Sequence, residues 1–286
     1  MKRDAFSMRI RSYGARGSVP VSGSQHLKYG GDTTCVEIQG RGGATIIVDA
    51  GSGMRRLGDA LIEDGRLNIH LLFTHCHWDH IIGFTVFKPN YLDDFHITIW
   101  HHPGFQGDVR TVLEKLMHPP GFPIRFNRLK AGFAFREHAL APFAIDTVQV
   151  HPIAISHTQP GLGYRFEEDG KRFVMITDNE LGYTHPHGHT AEHYARFARG
   201  ADLLFHDAHY TDDEYPRHAG QGHSSCSNAL GLALAAGVQR FGLFHHGPDR
   251  TDADVDLLVA RCRERIAAAG SPMDCFAVGQ DTDILL

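Results

Sequence analysis

Seven residues, Thr74-His75-Cys76-His77-Trp78-Asp79-His80, hold more reactive chemistry than any other stretch of the chain. Three imidazoles and a carboxylate fall between His75 and His80. Donors of that kind at that density suit zinc, and also manganese or iron. The run comes directly after the apolar stretch His70-Leu71-Leu72-Phe73. A strand ending in a tight polar loop would project His75, His77, Asp79 and His80 from one rim. Within a helix, residues i and i+2 point apart, so a loop is expected here. The bland alternative is a solvated histidine-rich turn, in a chain with 22 histidines among 286 residues. Such a turn has no reason to adjoin a strand directly or to carry an Asp-His pair.

Other segments supply further donors in the same way. Strands are expected near 7–13, 34–39, 44–48, 70–74, 96–100, 146–156, 162–167, 172–177, 203–205, 240–244 and 274–278, with helices over 54–63, 108–117, 190–199, 226–236 and 252–269. Mixed strands and helices argue for a layered α/β or α+β fold. Six apolar runs end in a ligand-type residue: Asp49, His75, His157, Asp178, the pair His206-Asp207 and the pair His245-His246. One such ending would usually be a satisfied core residue. Six predict that the strand ends share an edge and that their side chains converge.

Composition bounds the function. A hydrophobic fraction of 42% is enough for a sizeable core, and a net charge of −5 gives no general affinity for nucleic acid. Five cysteines without a CxxC motif read as reduced thiols. The opening Met1–Ser7 has no apolar signal core, and no run of 18 apolar residues exists. A soluble cytoplasmic protein without membrane association is expected.

The His75-x-His77-x-Asp79-His80 segment resembles the signature of the metallo-β-lactamase superfamily. The resemblance runs from Gly14-Ala15-Arg16-Gly17-Ser18 to Val278-Gly279-Gln280-Asp281-Thr282. It is narrower towards the phosphodiesterase branch, with its tRNA 3′-processing endonucleases, phosphoribosyl cyclic phosphodiesterases and class II cyclic-nucleotide phosphodiesterase-like proteins. That match rests on Tyr29-Gly30-Gly31-Asp32-Thr33-Thr34-Cys35, on His157 before Gly163-Tyr164-Arg165-Phe166, on Thr177-Asp178, and on Gly222-His223-Ser224-Ser225. The resemblance implies an α/β (α+β) fold, a four-layer αβ/βα sandwich in one domain over residues 1–286. The proline-rich span 85–145 is expected to form a cap over the site.

The resemblance also implies a ligand set for two zinc ions, or manganese or iron. His75, His77 and His157 would hold one. Asp79, His80 and a histidine at 245 or 246 would hold the other, with Asp178 as the bridge. A Leu-x-His pattern favours His245, and His246 serves if the strand ends one residue later. Asp49 matches a structural aspartate beneath the metal loop. Cys76 is out of place for a ligand and reads as a packed thiol. Two zinc ions set against Asp79, Asp178 and a hydroxide leave one net positive charge, a seat for a phosphodiester anion. The ions would also lower the pKa of water from about 15.7 towards about 7, making hydroxide available as the nucleophile.

The leaving alkoxide needs a proton, and His223 is the candidate acid. In the resembling nucleases a carboxylate in a His-Glu-Ala motif orients that histidine. Here Phe205-His206-Asp207-Ala208 puts the shorter Asp207 in that place. The catalytic set is therefore His223, Asp79 and Asp207. Alternatively, His223 is a plain loop residue beside a serine helix cap. His185-Pro186-His187-Gly188-His189 reads as a solvated loop. Phe105, Phe122 and Phe126 read as packing residues before base-stacking ones. Arg16, Lys88, Arg125 and Arg165 are candidate phosphate contacts.

The leading expectation is a dinuclear zinc phosphodiesterase acting on a small cyclic or nucleotide-like diester. A polynucleotide is disfavoured by the acidic balance and by the lack of a Gly/Pro/Lys-rich arm. The alternatives are carboxyl-ester, thioester or lactone hydrolysis at the same metals, and a non-enzymatic accessory role of the kind found in quinone-cofactor biosynthesis. A homodimer is allowed but not specified.

Overall fold

The computed structural model describes residues 7–286, so the reading of the N-terminal segment as leaderless lies, for residues 1–6, outside the described residues. Strands β1 (Met8–Gly14), β2 (Cys35–Gly40), β3 (Thr45–Val48), β4 (Asn68–Leu72), β5 (His96–His101) and β6 (Gly132–Glu137) form one sheet. The second holds β7 (Phe143–Ile145), β8 (Val148–Ala154), β9 (Leu162–Glu168), β10 (Lys171–Ile176), β11 (Leu203–Asp207), β12 (Arg240–Phe244) and β13 (Asp274–Ala277). The last strand, β14 (Asp283–Leu285), returns to pair with β1. The sheet orders are β14-β1-β2-β3-β4-β5-β6 and β13-β12-β11-β10-β9-β8-β7. Each sheet is parallel in one half, β3 to β6 and β10 to β13, and antiparallel in the other. The helices are α1 (Met54–Glu63), α2 (Trp78–Ile81), α3 (Pro103–Gln106), α4 (Val109–Leu116), α5 (Ala191–Phe197), α6 (Tyr215–His218), α7 (Cys226–Ala236) and α8 (Asp252–Ala268).

Alternation along β3 explains the layering. Ile46 and Val48 face the other sheet, where Tyr164, Phe166, Phe173, Met175 and Phe205 pack. Ile47 points to the opposite side, into the core beneath α1 and α4. Strands covered on both faces read as continuous apolar runs, which is why 44–48 and 172–177 stand out in the sequence. The outer face of the second sheet is covered by α5, α7 and α8 through Tyr194, Leu230, Ala233, Leu258 and Ile266. The result is the expected αβ/βα sandwich.

Local signals set the helix bounds. In α1 the buried residues are Met54, Leu57, Gly58 and Leu61, the i, i+3, i+4, i+7 stripe of a half-buried helix. Ser225 caps α7 by accepting from the Asn228 N–H, and Gly237 ends it in the left-handed region. Thr251 and Asp254 form a capping box on α8, a device that contributes about 1 kcal/mol.

The span 85–145 is built into the sandwich more than a cap would be. It supplies β5 and β6 to the first sheet and β7 to the second. Between them, Val109 and Leu113 of α4 enter the outer core, and Phe126 stacks on Phe84 at 6.1 Å. Among the described residues no helix is long and apolar enough to cross a membrane.

Candidate metal centre

The site lies where parallel strands of both sheets end, the usual place for ligands in open α/β sheets. Asp49 comes directly after β3. It accepts from the Thr74 N–H at 2.7 Å, the Thr74 hydroxyl at 2.8 Å and His80 Nδ1 at 2.8 Å. One buried carboxylate thus ties the end of β4 to the ring of His80. The segment after β4 is only partly the expected loop. His77 is extended, with φ −65° and ψ 156°, and the chain then turns into α2, which carries Asp79 and His80. A four-residue helix leaves no periodic trace in a sequence.

Two sets of donors meet around Asp178. His75, His77, His157 and Asp178 can all place ligand atoms within 4.8 Å of one another, and so can Asp79, His80 and His245. Asp178 Oδ1 lies 3.7 Å from His75 Nε2 and 4.0 Å from His157 Nε2. Its Oδ2 lies 3.3 Å from both His80 Nε2 and His245 Nε2. Asp79 Oδ2 is 3.3 Å from the same two nitrogens, and it accepts from the Ser18 N–H at 2.7 Å. His77 Nδ1 approaches His157 Nε2 to 3.2 Å. Four ligands tetrahedrally placed at about 2.0–2.1 Å from a zinc ion lie about 3.3 Å apart, so these spacings fit.

The outer nitrogens point the same way. His80 Nδ1 is held by Asp49, His75 Nδ1 lies 3.1 Å from the Thr74 hydroxyl, and His157 Nδ1 donates to the Gly222 carbonyl at 2.8 Å. Each leaves Nε2 turned inward, the arrangement that second partners impose on ligating histidines. Among the described residues, the inward Nε2 atoms of His75 and His80 are buried without a hydrogen-bond partner. Buried polar atoms are rarely left so, and a cation would satisfy both. The residues present therefore fit a pair of divalent ions. Asp178 and His245 also adopt left-handed backbone, with φ of 51° and 58°. Strain of this kind collects at functional sites.

His245 faces the centre. His246 turns away, donates through Nε2 to the Val278 carbonyl at 2.9 Å, and is held neutral by burial, pushed down to about 4. Strand β12 ends at Phe244, so the earlier of the two histidines points inward.

His223 stands beside the cluster. Its Nδ1 donates to Asp207 Oδ2 at 2.7 Å, and the other oxygen of Asp207 accepts from the Ser224 and His209 N–H groups. Burial opposes charge on His223, but the Asp207 carboxylate outweighs it and holds the imidazole up to about 9. The His223 ring packs against His209 at 4.6 Å and His245 at 5.0 Å, and those two rings are 5.5 Å from each other. Asp207 is the last residue of β11, and the loop carrying His223 comes in close enough that the short side chain reaches.

Two site residues carry no clear mark in the sequence. Glu180, fully buried, accepts from His185 Nε2 at 2.9 Å and from Tyr215 Oη, Gly220 N and Gly222 N, each at 2.7 Å. It fixes the loop whose Gly222 carbonyl holds His157 and whose next residue is His223. Gly222 has φ 93°, and a Cβ there would sit 2.1 Å from His157 Nδ1. His185, expected in a solvated loop, is instead 7% exposed and spent on Glu180. His209 is the second such residue. An acidic residue two positions after Asp178 is the only signal that points to Glu180.

Most remaining expectations resolve towards packing or ion pairs, while Arg125 is exposed. Cys76 packs against the outer core, and burial pushes its thiol up to about 12. Arg16 is 1% exposed and donates to the Gly30 and Arg250 carbonyls. Lys88 pairs with Asp59, and Arg165 with Glu167. Phe105 and Phe122 are partly buried against the cores.

Comparison with known proteins gives a consistent picture. Residues 44–246 match the family described as beta-lactamase superfamily domain. The chain is 25% identical to a ribonuclease Z of Haloarcula marismortui over 309 aligned residues, covering 91% of this chain and 92% of that protein. The metallo-beta-lactamase fold protein YhfI from Bacillus subtilis superposes with a TM-score of 0.71 at 15% identity, over 98% of this chain and all of that one. A diphosphatase from the PhnP family does so with a TM-score of 0.69 at 15% identity, over 97% of each.

Proposed function

The chain belongs to the metallo-β-lactamase superfamily, and from that premise we propose that it is a dinuclear, zinc-dependent phosphodiesterase. His75, His77 and His157 form one seat, Asp79, His80 and His245 the other, and Asp178 joins them. The observation that carries the reading is Asp178 itself, with one oxygen turned to each set of imidazoles and the His223–Asp207 pair alongside. The ribonuclease Z relatives support phosphodiester chemistry. When bound, the two ions would supply Lewis-acid charge and a coordinated water acidified towards about 7.

The chain's own groups do the rest. Asp49 and the Gly222 carbonyl hold His80 and His157 in the tautomer that turns Nε2 inward. The Ser18 N–H orients Asp79. Asp207 takes Nδ1 of His223, so Nε2 carries the proton offered to the departing oxygen. Contact with the rings of His209 and His245, together with the bond to Asp207, restricts rotation of that ring.

The substrate we favour is a small cyclic or nucleotide-like diester. Lys88 and Arg165 are spent on carboxylates and Arg16 on buried carbonyls, so that of the four candidate phosphate contacts only the exposed Arg125 is left to meet a polyanion. The test is hydrolysis of bis-p-nitrophenyl phosphate, a cyclic nucleotide, an RNA oligonucleotide and p-nitrophenyl acetate, each with zinc or manganese. Metal-dependent turnover of the diesters well above the acetate is expected. Hydrolysis of the acetate alone would replace the phosphodiesterase reading with a carboxyl-ester one. Preference for the RNA would keep the chemistry and overturn the small substrate.

A further inference from the structure

Three cysteines that the metal centre does not use meet at the start of α7. Cys226 is its first residue, Cys262 lies within α8 and Cys275 in β13. All are buried free thiols. The Sγ atoms of Cys226 and Cys262 are 3.2 Å apart, about 1.2 Å beyond a disulfide bond. A cavity of about 290 Å³ opens beside them, lined by both cysteines and by Asp212, Ser227, Arg261 and Arg265. The pair is thus buried in the fold yet borders a space that admits a small oxidant. Cys262 is the more reactive of the two. Its sulfur lies 3.2 Å from that of Cys226 with Arg265 close by, and the neighbouring thiols of Cys226 and Cys275 hold it down, whereas the Cys262 sulfur and burial push Cys226 up.

We propose that Cys226 and Cys262 are a peroxide-oxidisable dithiol that closes to a disulfide and tethers the start of α7 to α8. The Cys262 thiolate attacks one oxygen of hydrogen peroxide, the O–O bond breaks, and the released hydroxide takes up a proton. The Cys226 thiol then attacks the Cys262 sulfenic sulfur and gives its proton to the departing oxygen, so the S–O bond breaks and a second water leaves as the S–S bond forms. Two electrons pass from the thiols to the peroxide, and the two thiol protons end in the two waters.

The site of closure gives it a consequence. Cys226 is three residues from His223, and its N–H donates to the Tyr210 carbonyl at 2.9 Å. Ser224 N, between them, donates to Asp207 at 3.0 Å. Closing the sulfur gap pulls on this clamped segment and shifts His223 against Asp207. The linkage does not depend on the proposed reaction, whereas the effect on turnover does.

The experiment treats the reduced full chain with a small excess of hydrogen peroxide, then counts thiols and maps disulfide-linked peptides. The count should fall from five to three, with a Cys226–Cys262 peptide and a mass lower by two hydrogens, all reversed by dithiothreitol. Cys275→Ser should still form the link and Cys262→Ser should not. No disulfide, or one joining Cys262 to Cys275, overturns the proposal. Should the Cys262 variant fail to fold, the wild-type peptide map still decides. Turnover of bis-p-nitrophenyl phosphate should fall about tenfold on oxidation, since a displacement near 1 Å costs up to about 10²-fold. A mapped disulfide with unchanged turnover would overturn the tether's effect on His223 while leaving the dithiol in place.

Discussion

The two sheets deliver their site residues in opposite ways. The first sheet contributes His75, His77, Asp79 and His80 from one short segment after β4, backed by Asp49 from the neighbouring strand. The second contributes one residue at a time. His157 comes after β8, Asp178 after β10 and His245 after β12, while Asp207 ends β11. A local cluster keeps its geometry as long as its own turn survives. A set of donors dispersed over four strand ends depends on the register of those strands, while left-handed backbone occurs on both sides, at Asp49 as well as at Asp178 and His245. The first side therefore offers a compact donor set, whereas the second offers the residues proposed as bridge and acid, where small displacements would decide the chemistry.

The largest effect should come from the group the two sides share. Asp178→Asn should lower metal content from about two equivalents towards one and reduce turnover by about 10³-fold or more, the scale of losing several kcal/mol of charge stabilisation. Elemental analysis beside the diester assay checks both. Next is the second sheet's acid. His223→Ala should lower kcat by about 10²–10⁴-fold with both metals retained. Loss of a metal from that variant would make His223 a ligand and dissolve the distinction between holding metals and supplying protons.

A pH profile sharpens the same distinction. Asp207 holds His223 up to about 9, so the acid is present below that value and lost as pH rises through it. Turnover should fall on the alkaline side, and Asp207→Asn should move that limb to lower pH. An unmoved limb would place the titrating group elsewhere.

The smallest expected effects are in the supports, one on each side. Asp49→Asn should weaken metal binding by about 10–100-fold, as loss of a ligand's second partner does. Glu180→Gln should weaken metal binding less than Asp49→Asn, because it acts on His157 only through the Gly222 carbonyl, and should lower kcat, because it loosens the loop that presents His223. Leaving buried donors of that loop poorly paired should also cost about 1–3 kcal/mol of stability. If the Glu180 variant lost metal as severely as the Asp49 variant, the second side would be as much a metal scaffold as the first.

The same contrast governs what the sequence can say. The contiguous His75–His80 run is legible at once, and α1 and α7 have the bounds their apolar stripes and caps predict. The dispersed side is legible only through the type of residue at which each apolar run stops. Even then, the Leu-x-His pattern favours His245 over His246 without fixing the choice, which depends on where β12 ends and on a left-handed φ. Strand β6 leaves no clear signal because its burial alternates between exposed and half-buried. The three-residue strands β7 and β14 are too short to carry a pattern. Glu180 leaves only a faint signal because three of its four partners, Tyr215 Oη and the Gly220 and Gly222 N–H groups, lie 35, 40 and 42 residues away.

The most direct test of the central claim, that Asp178 joins two metal seats, is a zinc count on the metal-reconstituted wild-type chain and the Asp178→Asn variant by elemental analysis. About two ions per wild-type chain, and a clear loss in the variant, are predicted. One ion or fewer in the wild type, or an unchanged count in the variant, would contradict it.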